Sequence, residues 1–259
     1  MPTTPAAFLV DADALDGARA GDALTLDGEE GRHAAKAARL AVGEQLLLSD
    51  APGRQARAEV TAAHKESLEL RLLADPSPAA PRTPRLTLVQ ALATGGRDEQ
   101  AVETATELGV DAVIPWIAGR SVSVWRGEKL RKGRARWESA VRAAVKQSRR
   151  PGIPTVEEPA AGRELTARLL ARIDTGALVL VLHEQESTPL LSLAAELRGT
   201  QATEIVVVVG PEGGIAEQEL EDLRALGARS VLLGPEVLRS STAGPAALVV
   251  LSALLGRWG

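Results

Sequence analysis

The sequence contains no cysteine and no tyrosine, one phenylalanine, one methionine and three histidines among 259 residues. Without cysteine there is no disulfide framework, no thiolate nucleophile and no zinc site that depends on sulfur ligands. His33, His64 and His183 are not at metal-ligand spacing, which argues against a histidine-rich metal centre. Five aromatic residues, Phe8, Trp116, Trp125, Trp137 and Trp258, are too few to stack many bases, although they leave open a nucleic-acid binder that works by charge. Long apolar runs are missing too. The longest, residues 246–255, is about half a membrane span, and no basic segment precedes an apolar stretch in the first ten residues. The expectation is a cytoplasmic protein with no membrane segment and no metal. Its composition, 45% hydrophobic and 25% charged, is that of a chain able to bury a sizeable core.

The net charge of −4 conceals an asymmetry. Residues 1–75 carry 8 basic and 13 acidic side chains, residues 82–154 carry 14 and 7, and residues 155–259 carry 8 and 14. Within residues 126–150 ten basic side chains face only Glu128 and Glu138. Such an excess reads either as a footprint for a polyanion or as a solvated helix face, and a purely solubilising face usually mixes both signs.

Residues 76–84, with four prolines in nine positions, read as an extended linker. Before it, short strand-like runs at 46–49, 55–61 and 67–73 and one helical stretch around 30–40 suggest a small barrel. On that helix Arg32, Lys36 and Arg39 fall at i, i+4 and i+7 and so share one face, with His33 beside them. After the linker, apolar runs at 86–92, 112–116, 178–182, 205–209 and 230–233 alternate with helical patterns at 98–108, 129–149, 163–172, 191–198, 216–225 and 242–255. That alternation predicts a parallel α/β sheet covered on both faces, which binds ligands beyond the carboxyl ends of its strands.

Chemistry is therefore sought directly after each strand. The run 205–209 leads into Gly210-Pro211-Glu212-Gly213-Gly214, a glycine-rich turn before a helix. Paired glycines permit positive φ and close approach of a ligand. It is neither a Walker A loop nor G-x-G-x-x-G, and the lone Glu212 suits a ligand bearing a cation or hydroxyls better than a triphosphate. The run 230–233 leads into Gly234-Pro235-Glu236-Val237-Leu238-Arg239, followed by Ser240, Ser241 and Thr242 as natural helix caps. His183 and Glu184 follow 178–182, and Thr94-Gly95-Gly96-Arg97 follows 86–92. Motifs of serine hydrolases, zinc proteases and calcium loops are missing.

These elements, in this order, resemble the RsmE family of 16S rRNA uridine-N3 methyltransferases, in the SPOUT superfamily. The matching residues are Glu107-Leu108-Gly109-Val110, Arg120-Ser121, Gln147-Ser148 followed by Arg150, Gly210 through Gly214, and Leu233-Gly234 through Leu238-Arg239 to Thr242-Ala243. Their order and spacing agree with the family across residues 86–256. Phe8, His33, Arg39-Leu40 and Gly43 match more weakly. Ser241 replaces a usual glutamate, and Thr94 and Thr104 stand where lysines are common, so no role is carried over to those three side chains.

The resemblance implies a PUA-like β-barrel RNA-binding domain over 1–75, the linker at 76–84, and over 85–259 a SPOUT methyltransferase domain whose parallel sheet ends in a C-terminal trefoil knot. It implies S-adenosylmethionine as cofactor, a homodimer, and as substrate a uridine in the decoding region of 16S rRNA within the small ribosomal subunit. The implied cofactor contacts are Leu182, His183, Glu184, Gly210, Pro211, Glu212, Gly213, Leu233, Gly234, Leu238, Arg239 and Ala243. Arg239, then Arg120, are the candidates for stabilising charge on the base, while Glu212 either assists the cofactor or accepts a proton. Arg32, His33, Lys36, Arg39, Arg131, Arg134, Arg136, Arg149 and Arg150 are the candidate RNA contacts.

Overall fold

The computed structural model describes residues 5–11, 13–50, 53–78, 82–148, 150 and 152–258. They divide into two compact units, the first drawn from residues 1–81 and 145–153, the second from 82–144 and 154–259.

In the first unit, β1 (Ala6–Leu9), β2 (Ala23–Leu26), β3 (Gln45–Ser49), β4 (Arg54–Ala63), β5 (Leu68–Leu72) and β6 (Ser77–Pro78) form one sheet. Its order is β1-β3-β4-β5-β2, with β6 also on β4. β1 runs parallel to β3 and the other pairs are antiparallel. In β5, Leu68, Leu70 and Leu72 are buried while Glu69 and Arg71 face out, the two-residue period of a half-buried strand. These leucines join Phe8, Leu46, Leu48 and Val60 in the core. The helix α1 (Gly28–Arg32) is a single turn that continues as a π-helical turn over His33–Ala37. Gly31 lets it pack on the sheet, since a Cβ there would lie 2.5 Å from the Leu26 carbonyl oxygen. Two expectations change here. Arg39 lies past the helix in a left-handed conformation (φ 52°), so it does not share a helical face with Arg32 and Lys36. The beginning of the expected linker is strand β6, because proline's fixed φ fits an extended segment at a sheet edge.

The second unit holds β7 (Arg85–Ala91), β8 (Ala112–Trp116), β9 (Thr155–Val156), β10 (Ala177–Leu182), β11 (Glu204–Val209) and β12 (Arg229–Val231) in a parallel sheet of order β12-β10-β11-β7-β8-β9. The central strands are buried along almost their whole length, as expected when helices cover both faces. The helices are α2 (Arg97–Glu107), α3 (Glu128–Ser148), α4 (Gly162–Asp174), α5 (Ala194–Arg198), α6 (Glu217–Ala225) and α7 (Ser240–Leu254). A 3-10 turn, Leu190–Leu193, leads into α5. The far end of α3 falls in the first unit, so residues 85–259 are not one uninterrupted body.

After the edge strand β12 the chain returns to the middle of the sheet, where α7 packs on β7 and β11. The seat is close: a Cβ on Gly244 would lie 2.9 Å from Leu88 Cδ1. α7 buries Ala247, Leu248 and Leu251, which accounts for the apolar run 246–255 as core with Val249 on its outer side. α7 begins at Ser240, two residues before the expected start. Arg239 is its flanking residue (φ −64°, ψ 151°), so the expected capping hydroxyls lie inside the first turn.

Candidate functional site

The carboxyl ends of β10, β11 and β12 open onto a cleft of about 950 Å³. Its walls include all twelve expected cofactor residues, from Leu182, His183 and Glu184 through Gly210, Pro211, Glu212 and Gly213 to Leu233, Gly234, Leu238, Arg239 and Ala243, together with Arg120. Residues as far apart in sequence as Arg120 and Ala243 meet because parallel strands bring their following loops to one edge. The loops are stitched together: His183 N–H donates to the Val231 carbonyl (3.1 Å), and the Leu232 carbonyl accepts from Leu190 N–H (2.7 Å).

The glycine turn has two tight places and one left-handed residue. A Cβ on Gly210 would lie 2.6 Å from Ile215 Cγ1, and one on Gly213 would lie 3.1 Å from the Arg120 carbonyl oxygen. Positive φ belongs to Gly214 (74°) and not to Gly213, so the second glycine serves close approach alone. Glu212 reaches out of this turn to the loop after β7. It accepts from Thr94 N–H (3.2 Å), Thr94 Oγ1 (3.4 Å) and Arg97 Nη1 (3.1 Å). Partial burial pushes its carboxyl upward, but its own backbone N–H, Thr94 N–H and the Arg97 guanidinium outweigh that and hold it below the ordinary carboxylate range. A carboxylate so held is a weak base, which weighs against proton acceptance, one of the two roles open to Glu212 in the sequence; its contacts tie the turn to the loop after β7.

Arg120 Nη1 points to the carbonyls of Gly213 (3.5 Å) and Ile215 (3.4 Å). Arg239 is exposed, and its side chain makes no hydrogen bond or ion pair among the described residues. Its backbone carbonyl accepts from Thr242 and Ala243 N–H, so the first turn of α7 holds its main chain. Arg97 is neutralised by Glu212 and Arg224 by Glu186 (2.9 Å). The remaining charged walls are Glu184, Glu217, Glu221 and Glu236 against Arg120 and Arg239, a surplus of acid that suits a ligand carrying positive charge. Two buried polar atoms in cleft residues, His183 Nδ1 and Ser240 Oγ, have no hydrogen-bond partner among the described residues.

The candidate RNA contacts divide. In the first unit Arg32, His33, Lys36 and Arg39 are all exposed. Lys36 is bound to Glu66 (2.6 Å), whose carboxyl it lowers, and the His33 ring lies 5.8 Å from that of Phe8. On α3, Arg131 shares Glu128 with Lys132, and Arg136 pairs with Glu99 (3.0 Å). Arg134 is tied to the Val156 carbonyl (3.0 Å) and to Glu158 and Glu138, so it staples α3 to β9. Arg149 lies outside the described residues, and Arg150 N–H closes the end of α3 on the Val145 carbonyl (3.2 Å).

Sequence reasoning missed Arg97 as the partner of Glu212, and Glu219. The latter had a local signal, a glutamate three residues after Ala216, the residue that precedes α6, which is the spacing of a capping box.

An RNA methyltransferase domain model matches residues 81–252, and an RNA methyltransferase PUA domain model matches residues 26–73. The chain is similar to ribosomal RNA small subunit methyltransferase E of Mycobacterium bovis, 44% identical over 92% of this chain and 89% of that one. The Bacillus subtilis protein of the same name is 27% identical over 88% and 89%. Among solved structures, that of ribosomal RNA small subunit methyltransferase E from Neisseria gonorrhoeae, bound to S-adenosyl methionine, superposes with a TM-score of 0.79 at 25% identity, over 97% of this chain and 98% of that one.

Proposed function

The chain belongs to the family of ribosomal RNA small subunit methyltransferases E, the RsmE family, and from that premise we propose that it methylates N3 of a uridine in the decoding region of 16S rRNA, with S-adenosylmethionine as donor. The observation that carries the reading is a cleft lined together by the glycine turn 210–214, the stretch from Leu233 to Ala243, and Arg120. Its size falls in the range of about 300–1,000 Å³ common for small-molecule sites. Its four carboxylates without ion-pair partners among the described residues complement a ligand with a sulfonium and an ammonium group.

When bound there, the cofactor supplies a methyl group already activated for transfer. The protein's share is then positioning and charge. Main-chain groups of Leu182, Gly210, Leu233, Gly234 and Leu238 hold the nucleoside, with Pro211, Gly213 and Ala243 shaping the wall. Uridine N3 gives up its proton to solvent water, and the resulting charge spreads onto the carbonyl oxygens of the base. Arg239, exposed and without a side-chain partner among the described residues, is the cation that meets it, with Arg120 as the second. Glu212 stays anionic and holds the turn. The first unit and the basic face of α3 bind phosphates. The protein works as a homodimer in the cytoplasm, on the small ribosomal subunit. The return of α7 from the edge strand to the middle of the sheet supports a C-terminal knot. No helix among the described residues is long and apolar enough to cross a membrane.

The test is nucleoside analysis of small-subunit RNA after incubation with protein and S-adenosylmethionine. N3-methyluridine is expected; a ribose-methylated nucleoside, or no methylation of either free RNA or subunits, would overturn the proposal. Arg239→Ala should lower kcat by roughly 10²–10³, the cost of removing one donor to transition-state charge. Unchanged kcat would exclude Arg239 from that role.

A further inference from the structure

We propose that Glu219 is a positioning residue for methyl transfer: it fixes the loop after β8 so that Arg120 stands against the glycine turn after β11. This rests on the role given above to Arg120.

Glu219 is the third residue of α6. One carboxylate oxygen, Oε2, accepts from Ala216 N–H (3.3 Å), the bond by which a glutamate at this position closes the start of its own helix. Capping asks nothing further of the side chain. Yet Oε1 accepts from Gly119 N–H at 2.8 Å, a hundred residues away in sequence and the shorter of the two bonds. A hydrogen bond to a carboxylate is about twice as strong as a neutral one. The fit is close, since a Cβ on Gly119 would already lie 3.4 Å from Oε2.

Arg120 is the next residue. Its own bonds to the turn are long, 3.4 and 3.5 Å, and its side chain is exposed, so they hold it weakly. What brings it close is the backbone, whose carbonyl packs 3.1 Å from where a Gly213 Cβ would sit. Arg120 lines the cleft, whereas Glu219 and Gly119 do not, so Glu219 acts through the main chain. Glu212 grips the loop after β7 in the same way. Two carboxylates from one strand–turn–helix thus clamp the loops after β7 and β8, the next two strands on one side of β11.

The test is a double-mutant cycle between Glu219 and Arg120 in the full-length protein, reading kcat and the Kd for S-adenosylmethionine. Glu219→Ala should lower kcat by roughly tenfold to a hundredfold, the usual effect of displacing a catalytic group by a fraction of an ångström to an ångström, with Kd little changed. In an Arg120→Ala background it should cost nothing more. Glu219→Gln keeps one carbonyl oxygen for Gly119 N–H and should recover most of the loss. Should the alanine variant fail to fold, Glu219→Asp takes its place, because its shorter side chain cannot span both N–H groups. Equal losses in both backgrounds, or a glutamine variant as poor as alanine, would reduce Glu219 to a helix cap and overturn the inference alone. Full activity of Arg120→Ala would instead remove the role of Arg120, and this inference with it.

Discussion

At the scale of single residues, the glycine turn depends on one carbonyl. Gly213 has no need of positive φ, and its missing side chain makes room for the Arg120 backbone. Gly213→Val should therefore displace the loop after β8 as well as crowd the cleft, weakening S-adenosylmethionine binding by at least roughly tenfold in calorimetric titration. Unaltered affinity would show that the turn does not contact the cofactor. Glu212 has a pH signature. Because its folded pKa is lowered, its stabilisation is complete above the unfolded value of about 4.3 and is lost as pH falls through the lower folded value. The melting-temperature gap between wild type and Glu212→Gln should hold steady from neutrality to about pH 5 and close on further acidification. A gap that does not narrow below that point would mean that the bonds to Thr94 and Arg97 do not favour the ionised form. Neither feature is legible in the sequence. The motif marks both residues, but their partners lie 93 and 115–118 positions away, and only the fold selects them.

Among elements, α3 shows how a local rule is overridden. Glycine inside a helix costs about 0.5–1 kcal/mol relative to alanine, so Gly133→Ala should stabilise if propensity decided. But a Cβ on Gly133 would lie 2.6 Å from Trp125 Cζ2. Trp125 is itself wedged edge-on against buried Trp137, with ring centroids 5.7 Å apart. Overpacking a core typically costs about 1–3 kcal/mol, so the net effect should be a loss, read as a lower denaturation midpoint with altered tryptophan emission. A rise in the midpoint would show that Trp125 moves aside at no cost. The same contrast governs what could be read in advance. β7, β8, β10 and β11 stood out because strands buried on both faces leave continuous apolar runs, and α2, α3 and α4 because one-sided burial leaves a 3.6-residue period. β1, β2, β6 and β9 were not foreseen. Runs of two to four residues, Ala-Ala-Phe-Leu, Ala-Leu-Thr-Leu, Ser-Pro and Thr-Val, are too short to show a period, and such strands depend on a neighbour that offers its edge. The π-helical turn that sets Arg39 apart from Arg32 left no mark in a pattern that assumes 3.6 residues per turn.

For the whole molecule, the sequence divides charge between segments, and the structure confines the cleft to one unit. Every residue lining the cleft belongs to the second unit, while Arg32 and Arg39 belong to the first. Cofactor and RNA binding should therefore be separable by mutation. The segmental excess over residues 126–150 is smaller in effect than its count suggests, because Arg131, Lys132, Arg134 and Arg136 all have acidic partners. Arg32 and Arg39 are exposed and have no ion pair among the described residues. Replacing both by glutamine should raise the KM for RNA and reduce the slope of log affinity against log salt by about 0.7–0.9 for each phosphate no longer neutralised, with the Kd for S-adenosylmethionine unchanged. Arg131→Gln with Arg136→Gln should flatten the slope less, because each removed cation frees a carboxylate it had been neutralising. A first-unit variant that weakened cofactor binding would break the separation, and an unaltered salt slope would return Arg32 and Arg39 to the solvated surface.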